Sequence, residues 1–421
     1  MNSDKTFIDL FAGAGCLSLG LMKAGWQGVL AIEKDPMAFE TLNYNLITGK
    51  TGQVFNWPNW FPKRHCTVNR FLSKYESNLY ELRGKIALVA GGPPCQGFSF
   101  AGRRNKNDKR NSLFKSYMQV VKIIDPLFVL IENVQGITLS FNGNNGKEKQ
   151  GPRPVGRPSL AYSERIKNAL AKLGYNVYSD YINASDFGVP QYRKRYFIVG
   201  IKKTRNDFAD LNPFDFLTNL RANFLISKNL PVDRTVNVGE ALSDLEIRNG
   251  NLLPCEDSPR FFRGSYNKPT TSYQKLLRGV VVDSVPDSHR IPNHRPATRE
   301  RLINVLASCP KGSSLRKVYK DKYNVNKHTV YLLSRDLPSP TLTTLPDDVI
   351  HYNEPRTLSV REYARLQSIP DWFQFRGNYT TGGKRRKMQC PRYTQIGNAV
   401  PPLLGEALGL LLFTIHNMHI T

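Results

Sequence analysis

Over its first 200 residues the chain alternates short apolar runs with stretches of helical periodicity. Segments 6–11, 29–33, 86–90, 128–132 and 195–201 have strand length and are rich in Val, Ile, Leu and Phe, which predicts buried strands. Segments 18–23, 37–46, 113–124 and 164–173 repeat apolar positions at helical spacing. Strands alternating with helices predict an α/β fold with a doubly wound, mostly parallel sheet. After residue 201 the rhythm stops, and 202–355 is irregular and rich in Pro, Asn and Arg. Order returns at 359–367, and a long apolar helix pattern covers 400–415. The pattern predicts one α/β domain made of 1–201 and 376–421, with 202–375 inserted as a separate domain. Segment 102–112, dense in basic residues, and 142–159, dense in Gly, Pro, Lys and Arg, read as exposed loops.

Charge changes this picture most. Fifty-nine Lys and Arg against 34 Asp and Glu give a net charge of +25 and a pI near 9.8. A polyanionic partner accounts for such an excess, through phosphate neutralisation and counterion release. A solvated basic surface accounts for it too, and charge alone does not separate DNA from RNA. The six cysteines, Cys16, Cys66, Cys95, Cys255, Cys309 and Cys390, show no C-x-x-C pair, which speaks against a zinc or redox motif and predicts reduced thiols. The N-terminus lacks a secretory pattern, and the longest apolar stretch, 403–415, is interrupted by Glu406. These features predict a soluble, cytoplasmic protein with no membrane partner and no metal.

Five segments carry candidate chemistry. Residues 7–15 (F-I-D-L-F-A-G-A-G) run from a strand through a Gly turn into a helix, with Glu33 closing the next strand twenty residues after Gly13. Such a turn lets the backbone approach a ligand, and an acid at that distance can accept from ribose hydroxyls. Taken singly, the turn is as readily plain architecture. Residues 90–99 (A-G-G-P-P-C-Q-G-F-S) deliver Cys95 on a stiff, polar loop past a strand's carboxyl end, where open α/β sheets bind ligands. Residues 128–134 (F-V-L-I-E-N-V) end a strand in Glu132 at the same predicted edge. In 191–200 (Q-Y-R-K-R-Y-F-I-V-G), Arg193 and Arg195 share a strand face by their spacing of two, and can bind phosphates or a carbonyl. Residues 393–400 (Y-T-Q-I-G-N-A-V) form a polar turn into the terminal helix.

Together and in this order, F-x-G-x-G, G-P-P-C-Q-G-F-S, E-N-V, Q-x-R-x-R and G-N-A-V resemble the DNA cytosine-C5 methyltransferase family, from about residue 7 to residue 409. The resemblance implies an S-adenosylmethionine-dependent, Rossmann-like methyltransferase domain with an inserted target-recognition domain, and S-adenosylhomocysteine as the cofactor product. Carried over, Cys95 is the nucleophile, Glu132 binds the cytosine N3 edge, and Arg195 contacts the base carbonyl, with Arg193 beside it in the catalytic set. Phe11, Ala12, Gly13, Ala14, Gly15, Glu33, Lys34, Asp35, Pro94, Asn398 and Ala399 match the cofactor pocket. Gln96, Ser99, Arg103, Arg104 and Arg110 fall on the segment that closes over DNA. Segments 335–344 and 361–367 resemble the part that organises the recognition domain. One departure is visible: where the family usually carries an aspartate for the adenine, this chain reads C-T-V-N-R-F over 66–71, leaving Thr67 or Asn69 to accept that hydrogen bond.

The implied reaction explains the residue types. Cytosine C5 is too weak a nucleophile until a thiolate adds at C6, and an acid with an arginine can stabilise the activated ring. A stacked base is out of reach, so it must be flipped out of the duplex. The expected partners are double-stranded DNA and a cognate restriction endonuclease for the same site, with the enzyme a monomer associated with the nucleoid. A tRNA methyltransferase on this scaffold would carry a more compact insertion, a catalytically inactive relative would not retain Cys95, Glu132 and Arg195 together, and an adenine or exocyclic-amine enzyme would place an aromatic residue after the prolines.

Overall fold

The computed structural model describes residues 5–49, 52–94, 111–138, 161–203, 212–247, 252–279, 285–381, 385 and 388–420. The main strands are β1 (Thr6–Leu10), β2 (Gln27–Ile32), β3 (Leu88–Gly91), β4 (Phe128–Asn133), β5 (Tyr175–Asn183) and β6 (Lys194–Lys202). The first six helices are α1 (Cys16–Lys23), α2 (Pro36–Leu42), α3 (Val68–Glu81), α4 (Asn111–Ile124), α5 (Tyr162–Lys172) and α6 (Pro213–Ser227). Two compact units emerge, one of Met1–Phe11, Thr67–Ile182 and Lys194–Phe216, the other of Ala12–Cys66, Asn183–Arg193 and Leu217–Thr421.

In the first unit the strands are ordered β1-β3-β4-β6-β5. β1 pairs parallel with β3, and β3 with β4, whereas β6 runs antiparallel to β4. The sheet is thus mostly parallel, with β6 as the exception. The apolar runs explain why: β3 and β4 are buried along nearly their whole length, as strands covered on both faces must be. Helix α4 seats Tyr117 with no exposure, its hydroxyl 3.0 Å from Val89 O and 3.3 Å from Leu130 O. The expected strand positions match to within about two residues. Strand β5 was not foreseen, because its residues are mostly half-buried and its sequence lacks an apolar run. Helix α3 was missed as well, since only Val68, Phe71, Leu72 and Leu79 of its 14 residues are buried.

The second unit contains α7 (Val238–Leu242), α8 (Ser272–Arg278), α9 (Pro296–Ser308), α10 (Lys317–Lys322), α11 (Val360–Leu366), α12 (Arg392–Asn398) and α13 (Pro402–Ile420). Its short strands are β7 (Leu252–Pro254), β8 (Phe262–Gly264), β9 (Ser313–Ser314), β10 (Tyr331–Leu332) and β11 (Val349–Ile350). Within the stretch expected to be irregular, the described residues include five α-helices, α6 to α10, separated by loops and by strands of two or three residues. By length and composition the C-terminal segment Arg392–Met418 could cross a membrane, but 78% of its apolar window is buried within the fold. Trp26 Nε1 donates to Gly409 O at 2.8 Å, and Glu406 pairs with Lys228 at 2.5 Å, so the charge that breaks the apolar run is neutralised.

Charge also sits deep in this unit. Arg365 lies between Asp244 (3.0 Å) and Asp371 (2.6 Å), and Arg356 between Glu354 (2.6 Å) and Glu362 (2.7 Å), all of them buried. Arg361 reaches Asp287 at 3.1 Å and the carbonyl of Phe373 at 2.7 Å. Removing one member of such a pair strands the other without water, typically at 3–5 kcal/mol. His289 is enclosed beside this network, its Nδ1 2.8 Å from Ser359 Oγ and its Nε2 3.0 Å from Leu245 O. Burial lowers its pKa from 6.5 to about 4. On acidification the unfolded chain takes up this proton first, so its contribution is complete above pH 6.5 and is lost as pH falls towards 4, by about 3 kcal/mol in total. Thermal unfolding followed between about pH 7.5 and about pH 4.5 should show a steeper acid loss in the wild type than in His289→Asn. Parallel curves would contradict this assignment.

Candidate active site

The register of β4 and β6 sets the first cluster. Glu132 is opposite Phe197 in the antiparallel ladder, so Arg195, two residues along, is its diagonal neighbour on the same face. Arg195 Nε lies 3.2 Å from Glu132 Oε1, and each side chain is only 13% exposed. Burial lowers the Arg195 pKa while Glu132 raises it, the balance expected of a charge held in place by its counter-ion. Next to Glu132, Asn133 Nδ2 donates to Pro93 O at 3.0 Å, tying the end of β4 to the loop after β3. The two glycines before Pro93 are both hemmed in. A Cβ on Gly91 would stand 2.1 Å from Leu10 O, and one on Gly92 would stand 3.1 Å from Glu132 Oε2. The strand end, the proline loop and the acid thus close on one another. Pro94 is half-buried.

The Gly turn after β1 gives the second cluster. Its backbone is left-handed at Phe11 (φ 63), Gly13 (φ 57) and Gly15 (φ 89). A non-glycine residue in that region is uncommon and marks a constrained site. Glu33 grips the turn: its Oε2 accepts from Gly13 N at 2.9 Å and its Oε1 from Asp35 N at 2.7 Å. Burial raises the Glu33 pKa, and the two amides oppose that rise. Asp35 caps α2, accepting from Met37 N and Ala38 N. Gly13 opens onto empty space, since a Cβ there would meet nothing within 4 Å. An open turn beside a fixed carboxylate fits a ligand with hydroxyl donors. Ala14 is buried, Ala12 half-buried and Lys34 exposed.

A third arrangement lay unread in the Q-Y-R-K-R motif. Gln191, fully buried, donates from Nε2 to Leu366 O (3.1 Å) and accepts at Oε1 from Leu342 N (3.0 Å). Arg193, 1% exposed, donates to Gly397 O at 2.9 Å and to Leu342 O at 3.5 Å. Gln367 Nε2 reaches Ile396 O at 2.8 Å. These amides and the guanidinium clasp 342, 366 and 396–397 together, and Gly397 has room for no Cβ, which would fall 2.5 Å from Thr343 O. The next residue, Asn398, is exposed, and Ala399 is buried. Arg193 therefore departs from expectation: it precedes β6 instead of sharing a strand face with Arg195, and its donors are turned to main-chain carbonyls.

Asn133, Gln191 and Gln367 lay within motifs read from the sequence, but no individual role had been read for them. Thr67 Oγ1 accepts from Arg70 N as the cap of α3, and Asn69 Oδ1 accepts from Ser116 Oγ at 2.5 Å. Cys95, Gln96, Ser99, Arg103, Arg104 and Arg110 lie outside the described residues.

Comparison with known proteins identifies the family. A family model described as C-5 cytosine-specific DNA methylase matches residues 5–413. The chain is 32% identical over 418 residues to the type II methyltransferase M.DdeI of Desulfomicrobium norvegicum, covering 95% of this chain and 86% of that one. It is 30% identical over 420 residues to M.XorII of Xanthomonas oryzae pv. oryzae, covering 96% and 83%. Among solved structures, an E. coli prophage chain described as a DNA modification methyltransferase superposes with a TM-score of 0.64 at 24% identity, covering 98% of this chain and 99% of that one, which speaks to the fold. This chain belongs to the C-5 cytosine-specific DNA methylase family.

Proposed function

We propose that the chain methylates C5 of a flipped-out cytosine within a specific double-stranded DNA sequence, through a transient bond from Cys95 Sγ to C6 of the base. The observation that carries the reading is the buried Glu132–Arg195 pair, one residue from the Asn133 anchor on Pro93. Cys95 follows this Gly-Gly-Pro-Pro loop directly in sequence.

In the proposed reaction the Cys95 thiolate adds to C6, and the ring's π electrons shift to C5. Glu132, sharing a proton with N3, and Arg195, on the carbonyl side, stabilise the charge that develops. When bound, S-adenosylmethionine supplies the electrophilic methyl group. Once C5 is methylated its proton leaves to a base, the electrons return to the ring and the thiolate departs. Phe11, Gly13, Glu33, Asp35, Pro94 and Asn398 would hold the cofactor, Glu33 through hydroxyls at lone pairs its amide donors leave open. Arg193 acts as a positioning residue for Gly397 and hence Asn398. Gln96, Ser99, Arg103, Arg104 and Arg110 would meet the DNA. The proposal divides the chain into a catalytic part, 1–201 with 376–421, and a target-recognition part, 202–375. The proposed enzyme is monomeric and cytoplasmic and works beside a cognate endonuclease, the last in keeping with the names of its type II methyltransferase relatives.

Duplex bearing 5-fluorocytosine at the target should trap wild-type protein in an adduct that survives denaturing electrophoresis when cofactor is present. Failure to trap with active enzyme would remove Cys95 from its role. Glu132→Gln should lower turnover by about 10²–10⁴-fold with far less effect on DNA binding. Equal losses in both would assign Glu132 to the fold alone.

A further inference from the structure

The second unit neutralises its deep arginines with carboxylates, and one of its surface segments gathers basic residues that form no ion pair among the described residues. Between Lys311 and Lys322 stand five basic residues and one acid, Asp321. Among the described residues, Arg316, Lys317 and Lys322 form no ion pair and are exposed. Helix α10 has no fully buried residue, and only its Tyr319 is partly buried against the local core. The segment is nonetheless fixed. Leu315 enters a local core with Leu302, Val305, Val330, Leu332 and Ile350. Leu315 N donates to Val330 O, Lys320 Nζ to His328 O, and the hydroxyls of Tyr323 and Ser308 meet at 2.5 Å.

Aromatic rings support the charges without cancelling them. The Arg316 guanidinium stands 5.5 Å from the centre of the Tyr319 ring, and Lys322 Nζ 5.2 Å from that of Tyr323. Holding like charges in one short rigid segment costs self-repulsion unless an anion joins them. A regular run of phosphates is such an anion, and each neutralised phosphate releases counterions.

We infer that 311–322, on the α9–α10 edge of the proposed recognition part, is a backbone clamp that grips phosphates of the duplex and fixes register without reading bases. The inference rests on the DNA reading above. It is separate from the loop after Cys95 and assigns new contacts within 202–375.

The test measures how the affinity of the full-length protein for a random-sequence duplex changes with salt, alongside methyl transfer to duplex DNA. Arg316→Gln, Lys317→Gln and Lys322→Gln should each make the slope of log affinity against log salt shallower by about 0.9, and the triple variant by about 2 to 3. The single variants guard against a folding defect in the triple, and a Lys85→Gln/Lys172→Gln double should leave the slope unchanged. A triple variant with the wild-type slope, or a control that flattens it equally, would overturn the clamp while methyl transfer by the wild type leaves the DNA reading intact. A wild-type protein that methylates no cytosine in duplex DNA would overturn that reading itself.

Discussion

Two opposite charges, Glu132 and Arg195, are held at 3.2 Å where water scarcely reaches. Neither is stable there alone, so each fixes the other, and the strands that carry them must keep their register. That register is the β4–β6 antiparallel ladder, set beside the parallel β1–β3 and β3–β4 pairs. A parallel β6 would present a different set of side chains beside Glu132. Asn133 then passes the constraint on to the proline loop, and Gly91 and Gly92 leave no slack between β1, β3 and the acid. The acid, the arginine and the approach to Cys95 therefore form one unit of geometry.

The same logic recurs elsewhere with main-chain partners. Gln191 and Arg193 satisfy carbonyls and an amide of segments more than 140 residues away in sequence, and Gln367 reaches Ile396 O, 29 residues on. Buried carbonyls without donors would be costly, so these side chains lock 342, 366 and 396–397 into a single arrangement. Motifs scattered along the sequence in fixed order thus become neighbours in the second unit. The chain, which transfers methyl groups to C5 of cytosine in DNA, uses that arrangement to present Asn398 at the surface.

Much of this was legible beforehand, for physical reasons. Strands buried on both faces must be apolar runs, so β1, β3 and β4 stood out, and a strand ending in Glu-Asn announced a functional edge. Strand β5 and helix α3 did not, because partly exposed elements carry weak periodicity. Arg193 was misjudged because parity along a strand was assumed one residue before β6 begins. The stretch 202–355 carried no readable rhythm because most of its helices are short, whereas α11 coincides with the order expected at 359–367. The Gly13–Glu33 bond was anticipated only as a spacing; its role as a brace for the turn needed coordinates.

The central claim is that C5 of cytosine in duplex DNA receives the methyl group. Bisulfite sequencing of DNA from a host expressing this chain measures it directly. The account predicts protected cytosines confined to one recurring sequence and absent from the uninduced host. Full conversion of every cytosine, with methylation found instead on adenine or on RNA alone, would contradict it.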